Sequence, residues 1–227
     1  MYDNACETQK LIMKVNIVFQ SPEVVELDSS LSKLLDNEVI VVSGSFLERQ
    51  NSYTKYEKKW YSILDFVFSK FGENFNPESL IFNSCGKPFL QNSKLRFSNT
   101  NSKETDFVAL QKNFEIGVDF EFLEEKSSYL EIAQRFFHED EIEYLSKIEN
   151  SEDLMSEFYR VWTIKEALVK CLGLTMFQNM KHINISKSEW DCADYELENI
   201  YVVVINQNKG FLSIASDSEI KKIIIYK

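Results

Sequence analysis

The chain has 227 residues, of which 44% are hydrophobic, and this length and composition are typical of a globular protein with a buried core. The formal net charge of −11 argues against a general nucleic-acid binder, because a phosphate backbone requires a basic protein surface. The four cysteines form no C-x-x-C pair, so neither a zinc site nor a disulfide framework is expected. With no signal region and no apolar run of membrane-spanning length, the sequence favours a cytoplasmic protein without a membrane segment.

The first third of the chain alternates strand and helix patterns. Leu11–Phe19 is predicted to form a strand, and Ser52–Phe71 a long amphipathic helix that ends at Gly72. Shorter elements are predicted at Leu31–Leu35 (helix) and at Glu38–Val42 and Leu80–Asn83 (strands). The lysines of the long helix, including Lys55 and Lys58, are expected to form a solvated face, although one of them could reach a ligand phosphate.

Two polar segments follow. Gly86-Lys87-Pro88 has the composition of a turn, and Leu95–Ser102 is rich in asparagine and hydroxyl side chains. Turns of this kind present backbone N–H groups and hydroxyls, which suit an anion. The signal is weak on its own, because most such turns have no ligand.

The segment from Asn113 to Leu123 alternates strictly between apolar and other residues. The apolar face carries Phe114, Ile116, Val118, Phe120 and Phe122, which predicts a half-buried strand. The opposite face carries Gly117, Asp119 and Glu121. Same-face neighbours on a strand lie roughly 6.5–7 Å apart, so the two carboxylates can turn toward one cation. Gly117 is expected to leave room for a ligand near the backbone. The alternative is an ordinary solvated strand face, but acidic residues are poor strand formers.

Two helices are predicted after this strand, one capped by Ser127 or Ser128 and one opening at Phe137. The acidic residues Glu139 and Asp140 suit the first turn of the second helix, because the helix dipole favours negative charge there. Glu141 either serves the same purpose or faces a site. His138 is expected to be a loop or cap residue.

Ser156–Leu172 has helical periodicity and is followed by Gly173, a favourable residue after a helix end. On a helical wheel Lys165 falls in the middle of the apolar stripe, where a lysine is rare unless it is paired. Such an inward charge needs a counter-charge, which a phosphate or the acidic strand would supply. Glu166 borders the stripe and forms an i, i+4 pair with Lys170, which is otherwise an ordinary surface ion pair.

The remaining residues predict four short strands, at Lys181–Ile185, Tyr201–Ile205, Phe211–Ala215 and Ile220–Tyr226. The mixture of strands and one long helix in each half predicts an α+β fold. A short linker near 111–113 divides the chain into an N-terminal subdomain, residues 1–111, and a C-terminal subdomain, residues 112–227.

Taken in order, these motifs resemble the phosphopantetheinyl transferases, specifically the larger surfactin-synthetase-activator type. The family pattern is a G-(V/I)-D-x-E strand, an F-F-x-x-x-E helix start and a W-x-x-K-E-x-x-x-K helix. This chain has GVDFE, FFHEDE and WTIKEALVK within about sixty residues, and G-K-P stands upstream. Residues 80–190 match well, whereas the first 75 match poorly.

The resemblance implies a pseudo-dimer of two similar α+β subdomains with the active site in the cleft between them. It implies an enzyme, active as a monomer, that moves the 4′-phosphopantetheine arm of coenzyme A to a serine of an apo acyl or peptidyl carrier protein. Adenosine 3′,5′-bisphosphate would be released. Mg²⁺ would be the metal, with Mn²⁺ as the alternative.

Site residues carry over position by position. The resemblance implies that Asp119, Glu121 and Glu166 hold Mg²⁺ and that Lys165 and Lys170 contact phosphate oxygens. It makes Glu141 a candidate for helping to deprotonate the serine. The nucleotide end would be lined by Lys87, Pro88, Thr100 and Asn101.

One position departs from the family pattern, because Asn101 stands where a histidine usually reaches the ribose phosphate. Asparagine can donate a hydrogen bond but carries no charge, so weaker coenzyme A binding is expected through this residue. Two other functions stay open: a non-catalytic module that binds coenzyme A or a carrier protein, and an unrelated Mg²⁺-dependent phosphohydrolase. The K-E helix and the G-K-P turn argue against the phosphohydrolase, and the intact carboxylates and helix lysines argue against the non-catalytic module.

Overall fold

The computed structural model describes residues 13–26, 34–49, 58–103, 105–125, 128–192, 198–207 and 209–226. The strands are β1 (Met13–Phe19), β2 (Glu23–Glu26), β3 (Glu38–Ser43), β4 (Leu80–Phe82), β5 (Pro88–Leu90), β6 (Leu95–Ser102), β7 (Thr105–Lys112), β8 (Ile116–Phe122), β9 (Ile183–Asn184), β10 (Glu189–Cys192), β11 (Asn199–Gln207), β12 (Gly210–Ser216) and β13 (Lys222–Tyr226). The helices are α1 (Gly44–Arg49), α2 (Lys59–Lys70), α3 (Tyr129–Phe136), α4 (Glu139–Ser146), α5 (Ser151–Leu172) and α6 (Met176–Asn179).

The strands form two large sheets and one hairpin. The six-stranded sheet has the order β8-β12-β11-β1-β10-β9, the five-stranded sheet β2-β13-β3-β7-β6, and β4 pairs with β5. The mixed α+β prediction is confirmed. The division at residues 111 and 112 and the pseudo-dimer stay predictions, and each sheet takes one terminal strand from across that division: β1 lies among C-terminal strands and β13 among N-terminal ones.

The layers follow from the alternation of apolar residues along the strands. In β8, Ile116, Val118 and Phe120 pack in a core between the two sheets together with Val39 and Val41 of β3. The opposite side of the six-stranded sheet packs on α3, α4 and α5, and the opposite side of the five-stranded sheet packs on α1 and α2. The molecule therefore has helices on both outer sides and two sheets between them.

Helix α5 is longer than the sequence predicted. Its end at Leu172 is confirmed, because Gly173 adopts the left-handed conformation at φ 63° and closes the last turn. Its start lies at Ser151, five residues before the prediction, where Asn150 accepts hydrogen bonds from the N–H groups of Glu152 and Asp153. An asparagine followed by acidic residues is a recognisable helix start, so this signal was present in the sequence.

Other boundaries differ more. The polar segment Leu95–Ser102, interpreted as turn-like, is the strand β6. The first part of the helix predicted at Ser52–Phe71, which contains Lys55, lies outside the described residues, as do residues 31–33 of the helix predicted at Leu31–Leu35. His138 is confirmed as a cap residue, because its side chain accepts a hydrogen bond from the N–H of Asp140 at the start of α4. Among the described residues, no helix has the length and apolar character needed to cross a membrane.

Candidate active site

The acidic face of β8 lies against α5. Because Ile116 and Val118 point into the core between the sheets, Gly117, Asp119 and Glu121 point the other way, toward the helix. A Cβ atom at Gly117 would lie 1.9 Å from the carbonyl oxygen of Ala167 on α5. The room at Gly117 is therefore filled by the helix backbone, and the expectation that it admits a ligand is wrong.

Glu166 and Lys170 come from the side of α5 that faces these carboxylates. The Lys170 Nζ lies 2.6 Å from Asp119 Oδ1 and 3.3 Å from Glu166 Oε2, so one ammonium bridges two carboxylates. Burial, together with the nearby charge of Asp119, raises the pKa of Glu166 to about 7. Although burial opposes it, the two carboxylates raise the pKa of Lys170, which therefore stays charged.

The carboxylates have features that suit a divalent cation. Asp119 Oδ2 is buried and has no hydrogen-bond partner, although Oδ1 accepts from both Lys170 and Thr100. Within the described residues no three acidic, histidine or cysteine side chains form a metal-binding group, and the Lys170 ammonium contacts both Asp119 and Glu166. The unpartnered, buried Asp119 oxygen and the neighbouring buried Glu166 carboxyl leave acceptor capacity that a cation would satisfy. Hard oxygen donors of this kind suit Mg²⁺.

A pocket of about 390 Å³ opens beside Lys170. It lies between the turn that joins β4 to β5 and the C-terminal end of α5. Its lining includes Gly86, Lys87, Pro88, Asn99, Lys170 and Met176. The G-K-P turn and the lysine of the K-E helix, separated by more than eighty residues in the sequence, therefore face one cavity.

The turn is fixed to α5 by two side chains. Lys87 Nζ donates to Glu115 and to the carbonyl oxygen of Cys171 in the last turn of α5, where the helix dipole favours a cation. Asn83 donates to the carbonyl oxygen of Gly173 and accepts from the N–H of Lys87. The wall of the pocket is thus held by two contacts between the hairpin and the helix end.

Comparison with known proteins finds similarity to one family. Residues 115–200 match the family model described as the 4′-phosphopantetheinyl transferase superfamily. The 4′-phosphopantetheinyl transferase gsp of Aneurinibacillus migulanus is 30% identical over 178 residues, which cover 72% of this chain and 71% of that protein. The chain belongs to the 4′-phosphopantetheinyl transferase superfamily.

Two further relatives match a shorter part. A putative 4′-phosphopantetheinyl transferase of Synechocystis sp. is 36% identical over 39% of this chain and 37% of its own length. The 4′-phosphopantetheinyl transferase HetI of Nostoc sp. is 34% identical over 40% of each chain. These matches span about two fifths of either relative. The prediction of an enzyme of the phosphopantetheinyl transferase class is confirmed.

The structure places two residues differently from what the phosphopantetheinyl transferase pattern implied for the nucleotide end. Thr100 is buried and donates to Asp119 Oδ1 at 2.8 Å, so it contacts the carboxylate. Asn101 is exposed, and its amide nitrogen lies 3.2 Å from Asp106 Oδ1. Neither residue lines the pocket, whereas Lys87 and Pro88 do. The sequence reasoning missed Asn99, which does line it, because the segment was not recognised as a strand.

Lys165 is buried and bonded within the protein. Its side chain is 0% exposed, and its Nζ lies 2.6 Å from Glu141 Oε2, 2.8 Å from the Met180 carbonyl oxygen and 2.7 Å from the Ile183 carbonyl oxygen. An ammonium has three N–H donors, and all three are matched by protein acceptors. Burial lowers the pKa of Lys165 to about 8, against the opposing charge of Glu141. No donor is left for a phosphate, so the expected phosphate contact of Lys165 is not supported.

Both carboxylate oxygens of Glu141 also have partners within the protein. Its Oε2 also accepts from the N–H of His138, which completes the capping box of α4, and its Oε1 accepts from the N–H of Ile185. The carboxylate is 2% exposed. A side chain that is enclosed and bonded through both oxygens is poorly placed to take a proton from a substrate serine. We therefore assign Glu141 and Lys165 to a structural pair.

Proposed function

We propose that the chain transfers the 4′-phosphopantetheine arm of coenzyme A to a serine of an apo carrier protein, and that Asp119, Glu121 and Glu166 hold Mg²⁺ for this reaction. The serine oxygen attacks the phosphorus that carries the pantetheine, and the bond from that phosphorus to the bridging oxygen breaks. Adenosine 3′,5′-bisphosphate leaves with the bridging oxygen, and the proton of the serine hydroxyl passes to solvent water. Phosphoryl transfer of this type depends mainly on positioning and on stabilising charge.

The observation that carries the proposal is the position of Lys170. Its ammonium contacts Asp119 and Glu166 and also lines the pocket that the G-K-P turn encloses. Asp119, Glu121 and Glu166 would hold Mg²⁺, which would supply positive charge against the pyrophosphate. Lys170 would then be released from the carboxylates and would donate to a phosphate oxygen, where it stabilises the charge that develops on the leaving group.

Lys87 would contribute to binding the nucleotide end of coenzyme A. Lys87 lines the pocket, and Glu115 and the carbonyl oxygen of Cys171 use two of its three N–H donors, so one donor remains for a phosphate oxygen. Pro88 adds an apolar wall, against which an adenine ring can pack. We keep the expectation of a monomer in the cytoplasm as part of this proposal.

The deciding experiment is the intact mass of an apo carrier protein after incubation with this enzyme, coenzyme A and Mg²⁺. We expect a gain of one phosphopantetheine group that disappears when EDTA is added. Asp119→Asn and Glu166→Gln should each abolish the gain, whereas Glu152→Gln, in the exposed first turn of the same helix, should not. Transfer that continues in EDTA or in Asp119→Asn would refute the metal assignment, and no transfer to several carriers despite coenzyme A binding would favour a binding module.

A further inference from the structure

Three hydroxyl side chains of β6 point at β8. Ser98, Thr100 and Ser102 alternate along β6 and are all buried, although this strand lies at the edge of the five-stranded sheet. Strand β8 lies at the edge of the other sheet. Side chains therefore join the two edges at the place where the carboxylates lie.

The three hydroxyls make different bonds. Ser98 Oγ accepts from the N–H of Val118 at 3.1 Å, which is a bond to the backbone. Thr100 Oγ1 donates to Asp119 Oδ1 at 2.8 Å, and Ser102 Oγ donates to Glu121 Oε2 at 2.8 Å. Two consecutive hydroxyls on one face of β6 thus bind the two carboxylates on one face of β8.

These bonds select which carboxylate oxygen stays available. Asp119 Oδ1 accepts from Thr100 and Lys170, whereas Oδ2 is buried without a partner. Lys170 is charged and also contacts Glu166, so an arriving cation would displace it. The hydroxyl of Thr100 is neutral, so a cation would not repel it. It can therefore hold the Asp119 carboxylate in the same orientation with and without the cation.

We propose that Thr100 and Ser102 are positioning residues that orient the Asp119 and Glu121 carboxylates toward a divalent cation. The inference rests on the proposed function, because it concerns the same carboxylates. It gives Thr100 a role different from the nucleotide contact that the family pattern implied. Groups that hydrogen-bond to metal ligands commonly change metal affinity by about 10–100-fold when they are removed.

The competing explanation is that the hydroxyls only hold the two sheets together. The chain offers a matched control, because Ser216 Oγ is also buried and donates to Gln111 Oε1 at 2.6 Å, which joins β12 to β7. That bond links the same two sheets without touching a carboxylate. A general loss of contact between the sheets should therefore appear in Ser216→Ala as well.

The test is a titration with Mn²⁺ followed by electron paramagnetic resonance, with saturating coenzyme A and no carrier protein, so that no turnover occurs. We expect Thr100→Val and Ser102→Ala each to raise the Mn²⁺ dissociation constant about tenfold. Thr100→Ser, which restores the donor, should return it close to the wild-type value. Ser216→Ala should lower the melting temperature and leave the dissociation constant unchanged.

Two outcomes would overturn the inference and leave the proposed function intact. One is wild-type Mn²⁺ affinity in both Thr100→Val and Ser102→Ala, and the other is an equal loss of Mn²⁺ affinity in Ser216→Ala. Asp119→Asn separates these from a failure of the proposed function. If Asp119→Asn loses Mn²⁺ binding, the metal site stands and only the role of the hydroxyls is in question. If Asp119→Asn binds Mn²⁺ as well as the wild type, the metal site itself is wrong and the inference falls with it.

Discussion

Replacing Lys165 with methionine tests whether this lysine serves the fold or the substrate. The Lys165→Met side chain fills a similar volume but leaves Glu141 as a buried carboxylate without its cation. Removing one member of a buried ion pair typically costs about 3–5 kcal/mol of unfolding free energy. For a domain of this size, that corresponds to a drop in melting temperature of about 6–20 °C.

The free energy of unfolding is measured by urea denaturation of the wild type, Lys165→Met, Glu141→Gln and the double variant. Because both single changes disturb one pair, we expect a coupling energy of about 1–3 kcal/mol between them. The folded fraction of Lys165→Met, isolated at low temperature, should still transfer phosphopantetheine. A Lys165→Met protein with wild-type stability and no transfer would refute the structural assignment and restore the phosphate contact.

Three further predictions follow from neighbouring contacts. Gly117→Ala should lower the free energy of unfolding by about 3 kcal/mol or more, measured by urea denaturation, because its Cβ would overlap the backbone of α5; wild-type stability would contradict this packing. Burial raises the pKa of Asp217 to about 6, so the folded state binds more protons than the unfolded state between about pH 4 and 6. The free energy of unfolding of the wild type should therefore fall, relative to that of Asp217→Asn, as the pH rises through this window. Identical dependence of the unfolding free energy on pH in the two proteins would contradict this prediction. N-ethylmaleimide should modify the exposed Cys85 and spare Cys171, whose thiol pKa is raised by burial, in peptide mass maps. Adenosine 3′,5′-bisphosphate should protect Cys85, which lines the pocket, and unchanged labelling would argue against nucleotide binding there.

The acidic strand could be predicted from the sequence because its information is local. A period of two places Asp119 and Glu121 on the face opposite Val118, whatever the rest of the chain does. The structure has the same two faces, and it shows in addition that α5 lies against the acidic face. Gly117 could not be interpreted correctly from its own strand, because the helix backbone that fills its space begins more than thirty residues later.

The role of β6 could not be predicted for a related reason. Its sequence, LRFSNTNS, is polar in the manner of a loop, since hydroxyl and amide side chains favour turns. In the fold, the hydroxyls of Ser98, Thr100 and Ser102 are buried because β8 supplies partners for them from the other sheet. A polar strand of this kind becomes recognisable only when both sheet edges are known.

The sequence was sufficient to predict that the two lysines of α5 lie on different sides of the helix. Lys165 and Lys170 are five residues apart, and at 3.6 residues per turn their side chains diverge by about 140° around the helix. Both therefore cannot face one phosphate from a straight helix. Glu166 and Lys170 diverge by only about 40°, so these two side chains can both face Asp119. The counter-charge of Lys165 had to come from the other side of α5, and Glu141 supplies it from the first turn of α4.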